Sequence, residues 1–198
     1  MTQMSKIARD NNLTGLEFAA GIPGTVGGGV VMNAGAYDGD MSCVVKSVRV
    51  LDEEGEFLEL DNETMEFGYR TSTIRNGKFT VTKVIFELKE GNESEIQAKM
   101  DDFNKRRREK QPLEYPSAGS TFKRPEGYFA GKLIEEAGLK GKTLGGAQVS
   151  EKHCGFIINK GSATASDIAG LISLVTEAVR NNAGVTLERE VIYLGDIL

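Results

Sequence analysis

A glycine-rich stretch at residues 18–37 has side chains and spacing that suit phosphate binding. It reads FAAGIPGTVGGGVVMNAGAY and contains six glycines, one proline and no charged side chain. Glycine lacks a Cβ, so such a cluster predicts special backbone angles or close approach by another group. Successive unobstructed N–H groups form a concavity suited to a phosphate or pyrophosphate. A buried turn between tightly packed elements explains the same glycines, and glycine content alone leaves both interpretations open.

The common phosphate-binding fingerprints are absent from the sequence. No window supplies G-x-G-x-x-G between a strand and a helix, as a dinucleotide-binding fold requires. The letters GKT at 141–143 match the end of a P-loop, but Glu136 stands where its first glycine belongs. A P-loop NTPase is therefore excluded.

Ser120 is a second candidate for chemistry. It lies between a glycine and an apolar stretch, where a serine serves as a turn residue or a helix N-cap. The hydrolase motif G-x-S-x-G is absent, and the sole histidine, His153, has no convincing partner pattern. No metal ligand is suitably spaced from His153, so a structural role is the preferred interpretation and no metal site is predicted. Arg70, taken alone, is most simply a surface cation.

Five ordered motifs resemble those of the UDP-N-acetylenolpyruvoylglucosamine reductase family, which completes UDP-N-acetylmuramate in bacterial cell-wall synthesis. The first is GLEFAAGIPGTVGG at 15–28, followed by MNAGAY at 32–37. The others are GYRTS at 68–72, AGSTFKRP at 118–125, HCGFIIN at 153–159 and LEREV at 187–191. Because the five extend over nearly the whole chain, they are far more specific than any one of them.

The resemblance implies an α+β fold of two lobes. An FAD-binding lobe of the vanillyl-alcohol-oxidase type comprises residues 1–110 with a returning strand at 186–198. A smaller α+β substrate-binding lobe comprises residues 111–185. In the family, an N-terminal lobe with its own glycine-rich flavin loop precedes this point. No such segment occurs in the sequence, so we expect either that the sequence is a fragment of a longer protein or that the flavin site is incomplete.

The resemblance also implies roles for individual residues. Ser120 is the expected general acid that gives a proton to the substrate carbon. Arg70, with Glu190 nearby, is expected to stabilise the enol-like charge. The residues expected to bind FAD are Gly21, Ile22, Pro23, Gly24, Thr25, Gly27, Gly28, Asn33 and Ala34. Those expected to contact the substrate are Tyr69, Lys110, Lys123 and Arg124.

The implied reaction is the reduction of UDP-N-acetylglucosamine enolpyruvate. NADPH reduces non-covalently bound FAD, and the reduced flavin passes hydride to the enolpyruvyl double bond. Two alternatives stay open. In the first, the chain is a UDP-sugar-binding module without redox activity, because the N-terminal lobe is absent. In the second, it is a related flavoprotein oxidase that acts on another substrate. The motifs around Ser120 and Glu190 count against the oxidase.

Composition limits the number of domains, the kinds of partner and the cellular compartment that we expect. With 198 residues, 39% of them hydrophobic, the chain can bury a real core in one large or two small domains. A net charge of −5 argues against general nucleic-acid binding. Cys43 and Cys154 fit a reducing cytoplasm as free thiols. No apolar run approaches the ~20 residues that span a bilayer. We expect a cytoplasmic monomer or weak oligomer with no membrane or nucleic-acid partner.

Periodicity predicts the elements that must position these residues. Strands are predicted at 44–51, 56–60 and 79–88, the first two as a hairpin, and shorter strands at 144–148, 156–159 and 187–194. Helices are predicted at 3–9, 94–109, 128–137 and 166–182, with Ser94 and Ser166 as N-caps. A linker with two prolines is predicted at 111–116.

Overall fold

The computed structural model describes residues 1–37 and 39–196, and the chain divides into two compact units. The first unit comprises residues 1–106, and the second begins at Arg107. This boundary lies close to the one predicted after residue 110. In the part of the chain that the structure describes, no helix is long and apolar enough to cross a membrane.

The first unit is built on a three-stranded antiparallel sheet with the order β5-β4-β6. Two further pairs of very short strands, β1 with β7 and β2 with β3, join its loops. The elements are α1 (Thr2–Asp10), β1 (Leu13–Thr14), α2 (Val26–Val31), β2 (Gly35–Ala36), β3 (Gly39–Asp40), β4 (Val45–Leu51), β5 (Phe57–Asp61), β6 (Thr80–Phe86), β7 (Lys89–Glu90) and α3 (Glu93–Lys110). The last four residues of α3 belong to the second unit.

The central strand β4 carries the core of this unit. Val48 and Val50 are fully buried and alternate with more exposed neighbours, as expected for a strand with one face on the core. β4 pairs with β5 as the predicted hairpin and with β6 on its other side. The helix α2 packs on β6, where a Cβ added to Gly27 would lie 3.4 Å from Val81 Cβ.

The long helix α3 begins one residue earlier than predicted and has a different cap. The Asn92 side chain accepts hydrogen bonds from the N–H groups of Ser94 and Glu95 at 2.9 and 3.3 Å. Asn92, and not Ser94, therefore caps the helix by accepting from N–H groups of the first turn that have no acceptor within the helix. Asparagine fits this place because its short side chain reaches back to the backbone of the next turn.

The second unit is a four-stranded antiparallel sheet, in the order β8-β11-β10-β9, packed with two helices. The helix α5 contributes Leu171, Val175 and Val179, all fully buried, to the core. The elements are β8 (Ser117–Ser120), α4 (Ala130–Glu136), β9 (Thr143–Leu144), β10 (Ala147–Val149), β11 (Phe156–Asn159) and α5 (Ala165–Ala183).

The N-cap of α5 is Thr164, two residues before the predicted Ser166. Thr164 accepts from the N–H of Asp167, and the Asp167 carboxylate accepts from the N–H of Thr164, which completes a capping box. A threonine with an acidic residue three positions later can make this reciprocal pair. Ser166 has no acidic residue three positions later. The helix then ends as predicted at Gly184, which has a φ of +69°.

The chain after Val185 differs from the prediction. Residues 187–194 do not form a strand; they make one isolated bridge, between Arg189 and Phe122. Leu187 is buried in the core of the second unit. The described part of the predicted returning strand, 186–196, therefore belongs to the second unit and not to the first. Residues 197–198 lie outside the described part.

Candidate active site

The glycine loop, residues 21–28, leads directly into α2. Gly21 and Gly24 have φ values of +82° and +109°, which explains why glycine stands at both positions. Thr25 caps the helix, because its Oγ1 accepts a 3.0 Å hydrogen bond from the N–H of Gly28. Gly27 instead allows close packing on β6. The glycine cluster thus combines special backbone angles with a tightly packed turn.

Four consecutive main-chain N–H groups of the loop have no acceptor in the part of the chain that the structure describes. Among the described residues, none accepts a hydrogen bond from the N–H of Gly24, Thr25, Val26 or Gly27. Nothing lies within 4 Å of a Cβ placed on Gly24, so the loop is open on that side. Unpaired donors at the start of a helix favour a negatively charged group. This donor set fits the diphosphate of a dinucleotide cofactor.

The remaining residues expected to bind the cofactor lie in different surroundings. Pro23 is exposed, whereas Ile22 and Ala34 pack in part against the core. Asn33 is only 4% exposed and its side chain is fully engaged. Its Nδ2 donates to Gly68 O at 3.0 Å, and its Oδ1 accepts from the N–H of Ser42 at 3.0 Å. Through these bonds the Asn33 side chain links the backbone at Gly68 to the backbone at Ser42.

The arginine turn, residues 68–71, is a tight reversal in which Gly68 and Thr71 exchange both main-chain hydrogen bonds. Arg70 has a φ of +56°, unusual for a non-glycine residue. Its guanidinium carbon lies 5.1 Å from the centre of the exposed Tyr69 ring. Backbone held in a sparsely populated region is found disproportionately at functional sites, so this geometry supports a functional Arg70.

Hydrogen bonds at Gly68 and at Ser72, the residue after the arginine turn, join this part of the chain to the end of α2 and the residues that follow it. Asn33 bonds to Gly68, and the buried Ser72 donates a 2.8 Å hydrogen bond from Oγ to Val31 O. The arginine turn is therefore bonded to the end of the helix that the glycine loop begins.

Ser120 ends strand β8 in the second unit, and its side chain is exposed. It pairs with Phe156 in β11. Among residues 1–37 and 39–196, the hydroxyl makes one long hydrogen bond, 3.4 Å from Oγ to Phe122 O. The Oγ is thus held on a strand end with its hydrogen-bonding capacity largely available to a ligand.

The residue after Ser120 connects it to Glu190. Thr121 is buried, and its carbonyl accepts a 2.9 Å hydrogen bond from the N–H of Glu190. On its other side, Thr121 donates its N–H to Gly155 O at 2.8 Å and accepts from the N–H of Ile157 at 3.1 Å. The structure brings Ser120 and Glu190 together in the second unit, whereas Arg70 belongs to the first unit.

Three of the residues expected to contact the substrate lie in the second unit, and each has different surroundings. The Lys123 ammonium forms an ion pair with Glu188, whose carboxylate a ligand would have to replace. Arg124 is exposed, with its guanidinium carbon 4.1 Å from the centre of the Phe129 ring. Lys110 is exposed at the end of α3, and its charge helps to lower the pKa of His153.

Sequence reasoning missed the buried polar residues that hold the site. Thr121 joins the strand of Ser120 to the segment of Glu190 through its carbonyl, and Ser72 bonds the chain after the arginine turn to Val31. Thr121 follows Ser120 directly, so strand alternation turns it toward the interior; that signal was available. The partner of Ser72 is 41 residues away in sequence, and no local pattern indicates it. Within residues 1–37 and 39–196 no cluster of three or more His, Cys, Asp or Glu could hold a metal ion.

Two family models match the chain. An FAD binding domain model matches residues 1–61, and the model of the C-terminal domain of UDP-N-acetylenolpyruvoylglucosamine reductase matches residues 111–194. The FAD match covers the glycine loop, and the C-terminal match covers Ser120 and Glu190. Together with the structure they confirm the predicted α+β fold and the predicted flavin-binding character of the first unit.

Curated relatives and a solved structure agree with these matches. The chain is 55% identical to UDP-N-acetylenolpyruvoylglucosamine reductase of Clostridium kluyveri (strain NBRC 12016) and 56% identical to that of Clostridioides difficile (strain 630). Each alignment covers 99% of this chain and 64% of the relative, so the chain spans under two thirds of their length. The crystal structure of UDP-N-acetylenolpyruvylglucosamine reductase from Thermus caldophilus superposes with a TM-score of 0.82 and 37% identity, covering 95% of this chain and 68% of that one.

Proposed function

The chain belongs to the UDP-N-acetylenolpyruvoylglucosamine reductase family, and from this premise we propose that it reduces UDP-N-acetylglucosamine enolpyruvate to UDP-N-acetylmuramate. The proposal includes FAD as the bound cofactor and NADPH as the hydride donor. A cytoplasmic location is also proposed, and two free cysteines suit a reducing compartment.

The observation that carries the proposal is the contact between the strand of Ser120 and the segment of Glu190. Thr121 O accepts from the N–H of Glu190, so a hydroxyl and a carboxylate are held on adjacent backbone. Ser120 is exposed with only one long contact, as a group that meets a ligand must be.

The glycine loop is the part of this chain proposed to hold FAD. Its N–H groups from Gly24 to Gly27 would donate hydrogen bonds to the diphosphate oxygens, while the Thr25 side chain caps the helix by accepting from the N–H of Gly28. When bound, FAD supplies the hydride chemistry of the reaction, and the protein supplies binding, orientation and charge.

The side chains of this chain then manage charge and the proton. Hydride arrival at one alkene carbon builds negative charge toward the other carbon and its carboxylate. Arg70 suits this charge because a guanidinium stays protonated and presents donors in a fixed fork. Ser120 is proposed to give its hydroxyl proton to that second carbon, which completes the addition of two hydrogens across the double bond. Glu190 is proposed to contribute to this site from the segment whose N–H bonds to the Thr121 carbonyl.

The proposal is tested by visible absorption spectra of the purified chain with FAD, then with NADPH, then with the enolpyruvyl UDP-sugar. A retained flavin band that bleaches with NADPH and returns with the UDP-sugar under anaerobic conditions is expected. UDP-sugar binding by calorimetry without a retained flavin would support the binding-module alternative and contradict a redox function of this chain. Binding of neither ligand would contradict both.

A further inference from the structure

His153, for which the sequence predicts a structural role, is linked to the chain next to Ser120 through Gly155. Its Nδ1 accepts a 3.1 Å hydrogen bond from the N–H of Gly155. An imidazole nitrogen that accepts a hydrogen bond carries no proton, so the proton of the neutral ring is on Nε2. The main chain of His153 is fixed as well, because its N–H donates to the Oγ of buried Ser150 at 3.2 Å.

Gly155 is the link between His153 and Ser120. Its carbonyl accepts from the N–H of Thr121 at 2.8 Å, one residue after Ser120. A Cβ placed on Gly155 would lie 2.9 Å from His153 Cε1 and 3.7 Å from Ser120 Oγ. The imidazole and the hydroxyl thus flank the same glycine, which has no side chain to separate them.

The imidazole is held tightly on its other sides. A Cβ placed on Gly131, in the first turn of α4, would lie 3.3 Å from His153 Cε1. The Phe156 ring meets the imidazole edge-on, with 5.0 Å between ring centres. Burial lowers the pKa of His153, and the charge of Lys110 lowers it further, which favours the neutral ring. A neutral ring is what the bond from Gly155 requires.

We propose that His153 is a positioning residue for Ser120. Through Gly155 it fixes the backbone that presents the Ser120 hydroxyl, and as a neutral imidazole it leaves Ser120 as the proton donor on this strand. The link is a chain of three contacts: His153 Nδ1 to Gly155 N–H, Gly155 carbonyl to Thr121 N–H, and the pairing of Ser120 with Phe156. Only the role of Ser120 as proton donor depends on the proposed function.

The first test is NMR of the whole chain, in which His153 is the sole histidine and gives unambiguous imidazole signals. Long-range ¹H–¹⁵N correlation at pH 7 is expected to show a neutral ring protonated at Nε2 with an unprotonated, hydrogen-bonded Nδ1. His153→Ala is expected to speed amide exchange of Gly155 and Thr121 by at least about fivefold, which is the loss of one net hydrogen bond. The amide of Val149, bonded to Lys142 O, serves as the internal control and should not change.

Two further substitutions of His153 test whether the Gly155 N–H needs an acceptor at the position of Nδ1 or only a side chain that fills the space. The Oδ1 of His153→Asn occupies the position of Nδ1 and is expected to restore protection of Gly155 and Thr121. The amide of His153→Gln reaches one bond further and is expected not to restore it. A ring protonated at Nδ1, or exchange in His153→Ala equal to wild type, would overturn the proposal.

A double-mutant cycle tests the link through Gly155. Gly155→Ala forces its Cβ against the imidazole and is expected to speed exchange at Thr121. In the His153→Ala background that collision is gone, so the same change is expected to have almost no further effect. Additive effects would show that the two residues act independently and would contradict the proposal.

Steady-state kinetics test whether the contacts from His153 to the Ser120 strand affect turnover. His153→Ala is expected to lower kcat by about tenfold or more with KM nearly unchanged, and His153→Asn to recover most of it. An inactive wild-type chain would count against the proposed function, while the exchange and imidazole measurements would still decide whether His153 positions the strand.

Discussion

The Asn33 side-chain amide donates a 3.0 Å hydrogen bond to the main-chain carbonyl of Gly68. This bond joins the end of the glycine-rich segment to the arginine turn. Asn33 has a φ of +43°, a conformation that asparagine tolerates better than most residues. Its Oδ1 also accepts from the N–H of Ser42. One buried amide therefore couples the residues expected to bind the cofactor to Arg70.

Asn33→Ala is expected to lower the free energy of unfolding by about 2–4 kcal/mol, because buried partners lose their hydrogen bonds. Asn33→Asp keeps the acceptor for Ser42 but places a carboxylate beside Asp40 and Gly68 O, so it should be destabilising near pH 7 and recover in part at acidic pH. Urea denaturation measures both. The control is Asn11→Ala, which removes one exposed bond to Ile7 O and should cost less than about 1 kcal/mol. An Asn33→Ala protein as stable as wild type would show that the Asn33–Gly68 bond does not hold the turn.

Local patterns predicted the parts of the fold that depend on neighbours in sequence. The alternation in β4, the hairpin after it and the apolar stripe of α5 were all predicted near their observed positions. Glycine clustering also predicted special backbone angles, which occur at Gly21 and Gly24. These features follow from propensity and periodicity, which act over a few residues.

Features that depend on distant partners escaped prediction. The apolar pattern after Leu187 suggested a strand, but a strand needs a partner edge, and the segment finds one bridge to Phe122. The imidazole of His153 meets Gly155 and Gly131, a contact set by packing of α4 against the β10–β11 connection. The motif resemblance supplied Ser120 and Glu190, whereas the Thr121 carbonyl between them became visible only in the structure.

Gly24→Ala and Gly55→Ala form a matched pair that separates backbone strain from cofactor binding. Both glycines have a positive φ, +109° and +87°, and nothing lies within 4 Å of an added Cβ at either. Each change is expected to lower the free energy of unfolding by about 1–2 kcal/mol, the cost of a side chain in this region. Only Gly24→Ala should shift the N–H groups of the glycine loop and weaken FAD binding, by about tenfold for about 1.4 kcal/mol. Flavin fluorescence titration measures this; equal FAD affinity in both variants would place the cofactor elsewhere.

Arg70 is expected to show a conflict between stability and activity. Its φ of +56° costs an L-residue about 1 kcal/mol that glycine does not incur. Arg70→Gly should therefore be more stable than Arg70→Ala by about 1 kcal/mol in thermal denaturation, while both lose turnover. Arg70→Lys keeps the charge but not the planar fork, and should also turn over more slowly than wild type. Turnover of Arg70→Ala at the wild-type rate would remove Arg70 from the catalytic residues.

The capping box of α5 predicts a pH dependence of stability. Hydrogen bonds from the N–H groups of Thr164 and Gly146 lower the pKa of Asp167. The folded pKa is then below the unfolded value of about 3.9, so the contribution is present above that value and lost as the pH falls through the folded pKa. The stability difference between wild type and Asp167→Asn should be constant from pH 5 to 7 and shrink below about pH 4, measured by urea denaturation. The same pH slope in both proteins would show that Asp167 does not carry this dependence.

Ser120→Ala separates the proton step from every other part of the reaction. Because the Ser120 hydroxyl is exposed and makes only a 3.4 Å contact, its loss should change the free energy of unfolding by less than about 0.5 kcal/mol. Reduction of the bound flavin by NADPH should be unchanged, while turnover of the UDP-sugar should fall by about 10²–10⁴-fold, the usual contribution of a general acid.

Ser117→Ala provides the control, because Ser117 begins the same strand, is exposed, and accepts only a 3.4 Å bond from the N–H of Gly119. It should turn over at nearly the wild-type rate. Stopped-flow absorbance of the flavin resolves the two half-reactions. If Ser120→Ala slowed flavin reduction as much as turnover, its effect would lie in cofactor binding; if it slowed neither, the proton would come from another group.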